Sequence, residues 1–257
     1  MQRRSRASSP DQARAYRQAG HDNARQFAHS IGLPDDYKND PHAKKDVIDP
    51  SGDAHSVKSG QKKWQIFLYG LGRFWSDDAW GTMNGVGDLL AECINAFPTD
   101  FKAYQRNKPA AKERLRRPMK KIAELLQDKR RLRSFLNKSL FNGGEVNYLT
   151  VKHEESFHVF LNQDVIQVFG DNLEVCNSRA ITRNQTPEQK VLFRYKGLNL
   201  GELEMRNDSE VHYREVRFNM IKPKAMDLLF TKIPLSQSFN EVVRVYGNAN
   251  KRFGHWK

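Results

Sequence analysis

Between residues 148 and 221 the chain changes texture, and that change limits its fold more than any other feature. The runs YLTVKH, FHVFL, DVIQVFG, LEVCN, KVLFRYKG, LGELEMRND and HYREVRFNMI are short, rich in β-branched and aromatic residues, and separated by turn residues. Runs of that length and composition predict strands. Earlier in the chain the apolar residues recur at helical spacing instead, and Asn142-Gly143-Gly144 marks the boundary. The reading is an α+β chain with a β-rich C-terminal half. It divides into a region 1–142 and a region 143–257.

In the first region a helix is predicted over Asp11–Ile31, with Ala24, Phe27, Ala28 and Ile31 on one face at i, i+3, i+4, i+7. Gly32 and Pro34 end it. A polar loop leads to KKDVIDPSGDAHSVKSG (44–60), which reads as a hairpin. Its strands would be Lys45–Asp49 and His55–Ser59, and its turn Pro50–Asp53. KKWQIFLYG is an apolar run of strand length. SDDAWGTMNGVGDLLAECINAF reads as one helix with Ser76 as its N-cap, closed by Pro98. After the strand-like runs, Pro223 introduces a short helix, KAMDLLF, and the tail YGNANKRFGHWK is basic and aromatic. There Lys251, Arg252, His255 and Trp256 suit either a phosphate contact or a loose end.

Charge points to the partner. The chain carries 43 Lys/Arg against 30 Asp/Glu, a net charge of +13, and residues 101–140 alone hold 14 against 3. Met119, Ile122, Leu126, Leu132, Leu136 and Leu140 form an apolar stripe there, with Pro109 and Pro118 dividing the block into separate helices. Lys120, Lys121, Lys129, Arg130, Arg131 and Arg133 crowd the remaining surface. A dense helical cation surface binds polyanions through counterion release, so nucleic acid is the expected partner.

Several classes are set aside. There is no long apolar run and no signal peptide, so no membrane partner is expected. Cys93 and Cys176 form no metal or nucleophile motif, and the eight histidines lack zinc-ligand spacing. GLGRF is an incomplete dinucleotide loop, and no phosphate-binding G-x-x-x-x-G-K-[ST] occurs.

The hairpin carries the chemistry. Ser56 and Lys58 are two apart on a strand and point the same way. A four-residue turn brings Asp46 across from Ser56-Val57-Lys58. A carboxylate, a second oxygen and an ammonium would then converge, as metal-assisted phosphodiester hydrolysis requires. A lysine there would orient or deprotonate the attacking water and offset charge on the phosphate. The bland alternative is a surface ion pair worth about 0–1 kcal/mol.

On Asp46 and the tripeptide Ser56-Val57-Lys58 the stretch resembles the PD-(D/E)XK nuclease superfamily, and within it the type II restriction endonucleases. The resemblance spans about residues 15–97. GHDNARQFAHSIGL stands where that family has its core helix, and KKWQIFLYG where it has a further strand of the core sheet. The resemblance implies a restriction-endonuclease-like core, a mixed sheet flanked by helices, in a cytoplasmic, prokaryotic, sequence-specific endonuclease acting on double-stranded DNA. Asp46 and Asp49 would ligate Mg2+ together with the Val57 carbonyl, Ser56 would complete or position that shell, and Lys58 would assist the water. Ser56 replaces the family's acid and the helix offers Asp22 and Asn23 rather than Glu, so a second carboxylate would come from Asp49, Asp53 or Asp22. Self-complementary sites go with two-fold dimers, making a homodimer a further expectation. The other readings are a structure-selective repair or junction nuclease, and a nucleic-acid-binding protein without catalysis.

A second hairpin, GELEMRNDSEVHYREVRF, groups Glu202, Glu204 and Arg206 with Glu215 and Arg217. Arginine cannot act as a base. This stretch is therefore either an ion-paired face or a surface on which Arg206, Arg214 and Arg217 read guanine.

Overall fold

A computed structural model of the chain describes residues 10–81, 85–178, 189–206 and 209–257. In chain order these form α1 (Pro10–Ser30), β1 (Val47–Ile48), β2 (Ala54–Lys58), β3 (Lys63–Tyr69), α2 (Leu71–Trp75), α3 (Asp78–Gly81) and α4 (Val86–Asn95). The basic block follows as α5 (Phe101–Arg106), α6 (Lys108–Arg114), α7 (Arg116–Leu125) and α8 (Lys129–Phe141). Then come β4 (Tyr148–His153), β5 (Ser156–Leu161), α9 (Asn162–Asn172), β6 (Glu174–Asn177), β7 (Lys190–Tyr195), β8 (Leu198–Met205) and β9 (Val216–Ile221). α10 (Lys222–Lys232), β10 (Leu235–Ser238) and β11 (Val243–Tyr246) complete the order. The class is α+β, and among the described residues no helix is long and apolar enough to cross a membrane.

The elements fall into two units that interleave along the sequence. One comprises Met1–Gln61, Glu145–Asp164 and Ile233–Lys257, the other Lys62–Gly144 and Val165–Lys232. A cut at residue 142 therefore lies beside one crossing between the units and does not separate them.

The first unit holds a mixed sheet of order β1-β2-β4-β5-β11-β10. β2 pairs antiparallel with β1 and parallel with β4, and β11 runs parallel to β5. Its core is built by α1: Ala24, Phe27, Ala28 and Ile31, the predicted face, are buried with Val47, Tyr148, Phe157, Val159, Val243 and Val245. The helix stops where the sequence said, with Gly32 at φ 86°, a conformation that costs glycine nothing.

The second unit holds an antiparallel sheet of order β3-β9-β8-β7-β6. Phe67, Trp80, Phe135, Phe193 and Phe218 form an aromatic core over it. All six apolar residues of the basic block's stripe are buried. Helix breaks fall at Asn107 and Leu115, just before Pro109 and Pro118 take up first-turn positions, where a missing N–H costs nothing.

Some expectations fail. DVIQVFG lies in α9, because Val165 and Phe169 are four apart and buried while Gln163 and Gln167 face solvent; helical spacing overrides β-branched content. Ser76 ends α2, its N–H reaching the Gly72 carbonyl, and Asp77 takes the capping role at α3 instead. Residues 82–84 of that predicted helix lie outside the described residues. KKWQIFLYG supplies β3, which joins the second sheet through β9 rather than continuing from β2. β10 and β11 had no counterpart in the sequence reading.

Candidate active site

The hairpin of residues 46–58 forms with shorter strands than its sequence suggests. β1 and β2 pair Val47 with His55 and Ile48 with Ala54, and the Asp46 N–H donates to the His55 carbonyl at 2.9 Å. Gly52, at φ 85°, allows the turn, and its N–H donates to the Asp49 carbonyl at 2.9 Å. Asp46 is thereby set opposite Ser56.

Three predicted side chains do meet. Asp46 Oδ2 accepts the Val57 N–H at 2.7 Å and lies 3.5 Å from Ser56 Oγ. Lys58 Nζ donates to Ser56 Oγ at 2.6 Å and stands 3.8 Å from Asp46 Oδ2. The ammonium is thus bonded to the hydroxyl and only near the carboxylate. Asp46 Oδ1 takes no hydrogen bond from a described residue. The side chains of Asp46 and Lys58 keep 27% and 18% of their surface exposed, while Ser56 keeps none. Ser56 therefore cannot touch a metal or a phosphate. It fixes the lysine against the aspartate.

The N–H and C=O of one strand residue point to the same side. With its N–H on Asp46, Val57 directs its carbonyl to the same side, the orientation a metal ligand needs. Asp49 does not join. Three residues from Asp46, it falls on the other face of the strand. There Oδ1 accepts the N–H groups of Ser51 and Asp53 at 2.9 and 3.0 Å, and Oδ2 lies 3.3 Å from His55 Nε2. Asp53 is buried with it, and Asp22 stays on α1, accepting from Gln18 at 2.9 Å. None of the candidate second carboxylates reaches Asp46. Among the described residues no three His, Cys, Asp or Glu side chains are grouped to hold a metal. A cation at Asp46 would rest on one carboxylate and one carbonyl, a hard-oxygen set that suits Mg2+, which binds through one or two carboxylates and fills its shell with water and phosphate oxygens.

Beneath the hairpin lies a buried polar layer. His55 Nδ1 is 2.8 Å from Thr150 Oγ1, and its ring stacks on Tyr148 at 4.6 Å. A carboxylate only accepts, so Nε2–H donates to Asp49 and Nδ1 accepts the Thr150 hydroxyl. Burial lowers the His55 pKa, with Asp49 and Asp53 pulling it partly back. Tyr37 also sits by the site: burial raises its pKa, Arg25 lowers it and Asp46 raises it further. Nothing in the polar loop around Tyr37 signals this.

The predicted DNA contacts separate into two kinds. Lys120 and Lys121 are exposed on α7, Lys120 lying 3.7 Å from Glu124. Arg130 is exposed and Arg131 half-buried on the first turn of α8, where Asp128 accepts both their backbone N–H groups at 3.0 Å. Lys129 and Arg133 are occupied: Lys129 Nζ donates to the Leu173 carbonyl at 2.7 Å, and Arg133 pairs with Asp171. In the second hairpin Arg217 pairs with Glu204, Nε at 3.1 Å. Lys190 lies 2.6 Å from Glu204 and 3.2 Å from Glu202, which also accepts Lys63 at 2.7 Å. Arg214 donates to Asn95 at 3.3 Å, and the Arg206 N–H bonds the Glu215 carbonyl at 2.9 Å. Arg217 is thus part of an ion-pair lattice, not a projecting reader of bases. In the tail, Phe253 is buried and Arg252 reaches Asp53 at 2.6 Å; the segment is not a loose end.

No protein-family model, curated protein or solved structure matches this chain.

Proposed function

We propose that the protein is a metal-dependent, sequence-specific double-stranded DNA endonuclease of the PD-(D/E)XK type with a restriction-endonuclease-like core. The observation that carries this reading is the convergence of Asp46 and Lys58 on one partly exposed patch, ordered through Ser56, on adjacent antiparallel strands. Asp46 and the Val57 carbonyl would hold Mg2+, which when bound polarises the phosphoryl group and acidifies its water. Lys58 contributes what the chain itself provides. Its ammonium, steadied by a neutral hydroxyl rather than a second carboxylate, is available to a phosphate oxygen or to the attacking water. Lys120, Lys121, Arg130 and Arg131 supply a cationic surface for the backbone of a duplex. A dimer acting on a self-complementary site, in a prokaryotic cytoplasm, belongs to the same reading.

The test is incubation of long, sequence-diverse plasmid or phage DNA with wild type and Lys58→Ala, in Mg2+ and in EDTA. Discrete fragments that need Mg2+ and disappear in Lys58→Ala are the expected result. Fragments that persist in Lys58→Ala would move the site elsewhere. Salt-sensitive binding without cleavage would replace the nuclease with a binding protein, and cleavage confined to branched substrates would make it structure-selective.

A further inference from the structure

The patch exists only while β1 and β2 hold register, since a slip of one residue turns Ser56 and Lys58 to the opposite face. β1 is two residues long and lies at the sheet edge beside β2, so its own ladder bonds are few. Its support comes from the other side of the same strand. His55, between the patch residues in sequence and pointing away from them, is tied to Asp49 and Thr150. Asp53, at the end of the turn, is tied at both oxygens: Tyr148 Oη donates to Oδ2 at 3.1 Å, and Arg252 Nη2 donates to Oδ1 at 2.6 Å. Arg252 comes from 199 residues further along the chain. The next residue, Phe253, sets its ring edge-on to His55 and Tyr148 at 5.5 and 5.7 Å.

We infer that Arg252 is a positioning residue for the Asp46–Ser56–Lys58 patch: by neutralising the buried Asp53 carboxylate it fixes the turn that sets Asp46 on the Val57 N–H. This rests on the nuclease reading for its consequence in catalysis, but not for the clamp itself. The Asp53 carboxylate is 9% exposed and would stand uncompensated without the guanidinium, whereas the Arg252 side chain is 58% exposed. Its replacement therefore removes the tie without opening the core. The Asp53 turn is then free to relax toward water, carrying the end of β1 with it. Arginine serves here because its guanidinium stays charged, and it meets Asp53 through the single nitrogen Nη2.

The experiment compares wild type, Arg252→Ala and Arg252→Lys. Amide hydrogen exchange at Val57 reads the bond to Asp46, with Leu203 in β8 as the control. Single-turnover cleavage and DNA affinity are measured on the same samples. In Arg252→Ala, Val57 should exchange at least about tenfold faster with Leu203 unchanged. Cleavage should slow by about 10²-fold, the penalty for misplacing a reacting group by about 1 Å, at unchanged DNA affinity. Arg252→Lys should recover much of both. Unchanged Val57 exchange in Arg252→Ala overturns the inference, and so does faster exchange with an unaltered cleavage rate. Parallel loss at Val57 and Leu203 would show a general loss of structure and also overturn it. If the wild type cleaves nothing, the nuclease reading fails by that result, while Val57 exchange still decides the clamp.

Discussion

Two hairpins in this chain place carboxylates opposite cations across antiparallel strands, and they do opposite things with them. In the second unit Glu202 and Glu204 meet Lys63, Lys190 and Arg217, and each carboxylate oxygen has a cationic partner. Burial raises the Glu202 pKa, but Lys190 and Lys63 outweigh it and the net shift is downward. In the first unit a single carboxylate faces a single ammonium, with a hydroxyl between them and one carboxylate oxygen that takes no bond from a described residue. A saturated lattice stabilises a fold and has nothing left for a ligand. An incompletely paired one gives up that stabilisation and can exchange partners with a phosphate or a cation.

The largest test of this contrast is a pair of isosteric removals. Lys58→Met should cut cleavage by about 10²–10⁴-fold, the range of a positioned proton-transfer group. It should lower the free energy of unfolding in urea by no more than about 1 kcal/mol, as for a weak ion pair at a partly exposed site. Lys190→Met should do the reverse. It leaves two carboxylates sharing one face without their common cation, so a loss of about 2–3 kcal/mol in urea unfolding is expected. Cleavage by the folded fraction should change less than tenfold. If Lys58→Met unfolds the protein and Lys190→Met abolishes cleavage, the roles given to the two hairpins are exchanged.

Acid should separate the regions by pH. His55 has a folded pKa below its ordinary 6.5. The unfolded chain therefore binds more protons than the native one as pH falls below 6.5, and native stability declines from there down to the depressed value. Glu202, with a folded pKa below 4.5, contributes stability that is intact above 4.5 and fades only below it. Thermal melts from pH 7.5 to 3.5 should show an early decline that His55→Gln removes and a later one that Glu202→Gln reduces. A single decline, untouched by His55→Gln, would mean that the layer beneath the hairpin does not carry the early loss.

The smallest effect belongs to neither hairpin. Lys120→Ala with Lys121→Ala should weaken DNA binding uniformly across sequences. It should also reduce the slope of log affinity against log salt by about 0.9 per lost phosphate contact. An unchanged slope would assign these residues to the solvated surface alone.

What could be read from sequence was local. The buried face of α1, the apolar stripe under the basic block and the meeting of Asp46, Ser56 and Lys58 all follow from periodicity within a helix or across one short turn. Parity alone also separates Asp49 from Asp46, since an odd spacing on a strand reverses the face. α9 shows the limit of composition, because Val165 and Phe169 at helical spacing outweighed the β-branched content that suggested a strand.

Pairing between distant strands was not legible. Apolar runs of equal length look alike as partners, and the chain gives no local sign of which will lie side by side. Only the folded protein set β2 beside β4 across the intervening residues 62–144 and sent β3 into another sheet. The same holds for Arg252 on Asp53. The sequence by itself determined which side chains share a face; the tertiary structure decided which faces meet, because those contacts are made between segments far apart in the chain.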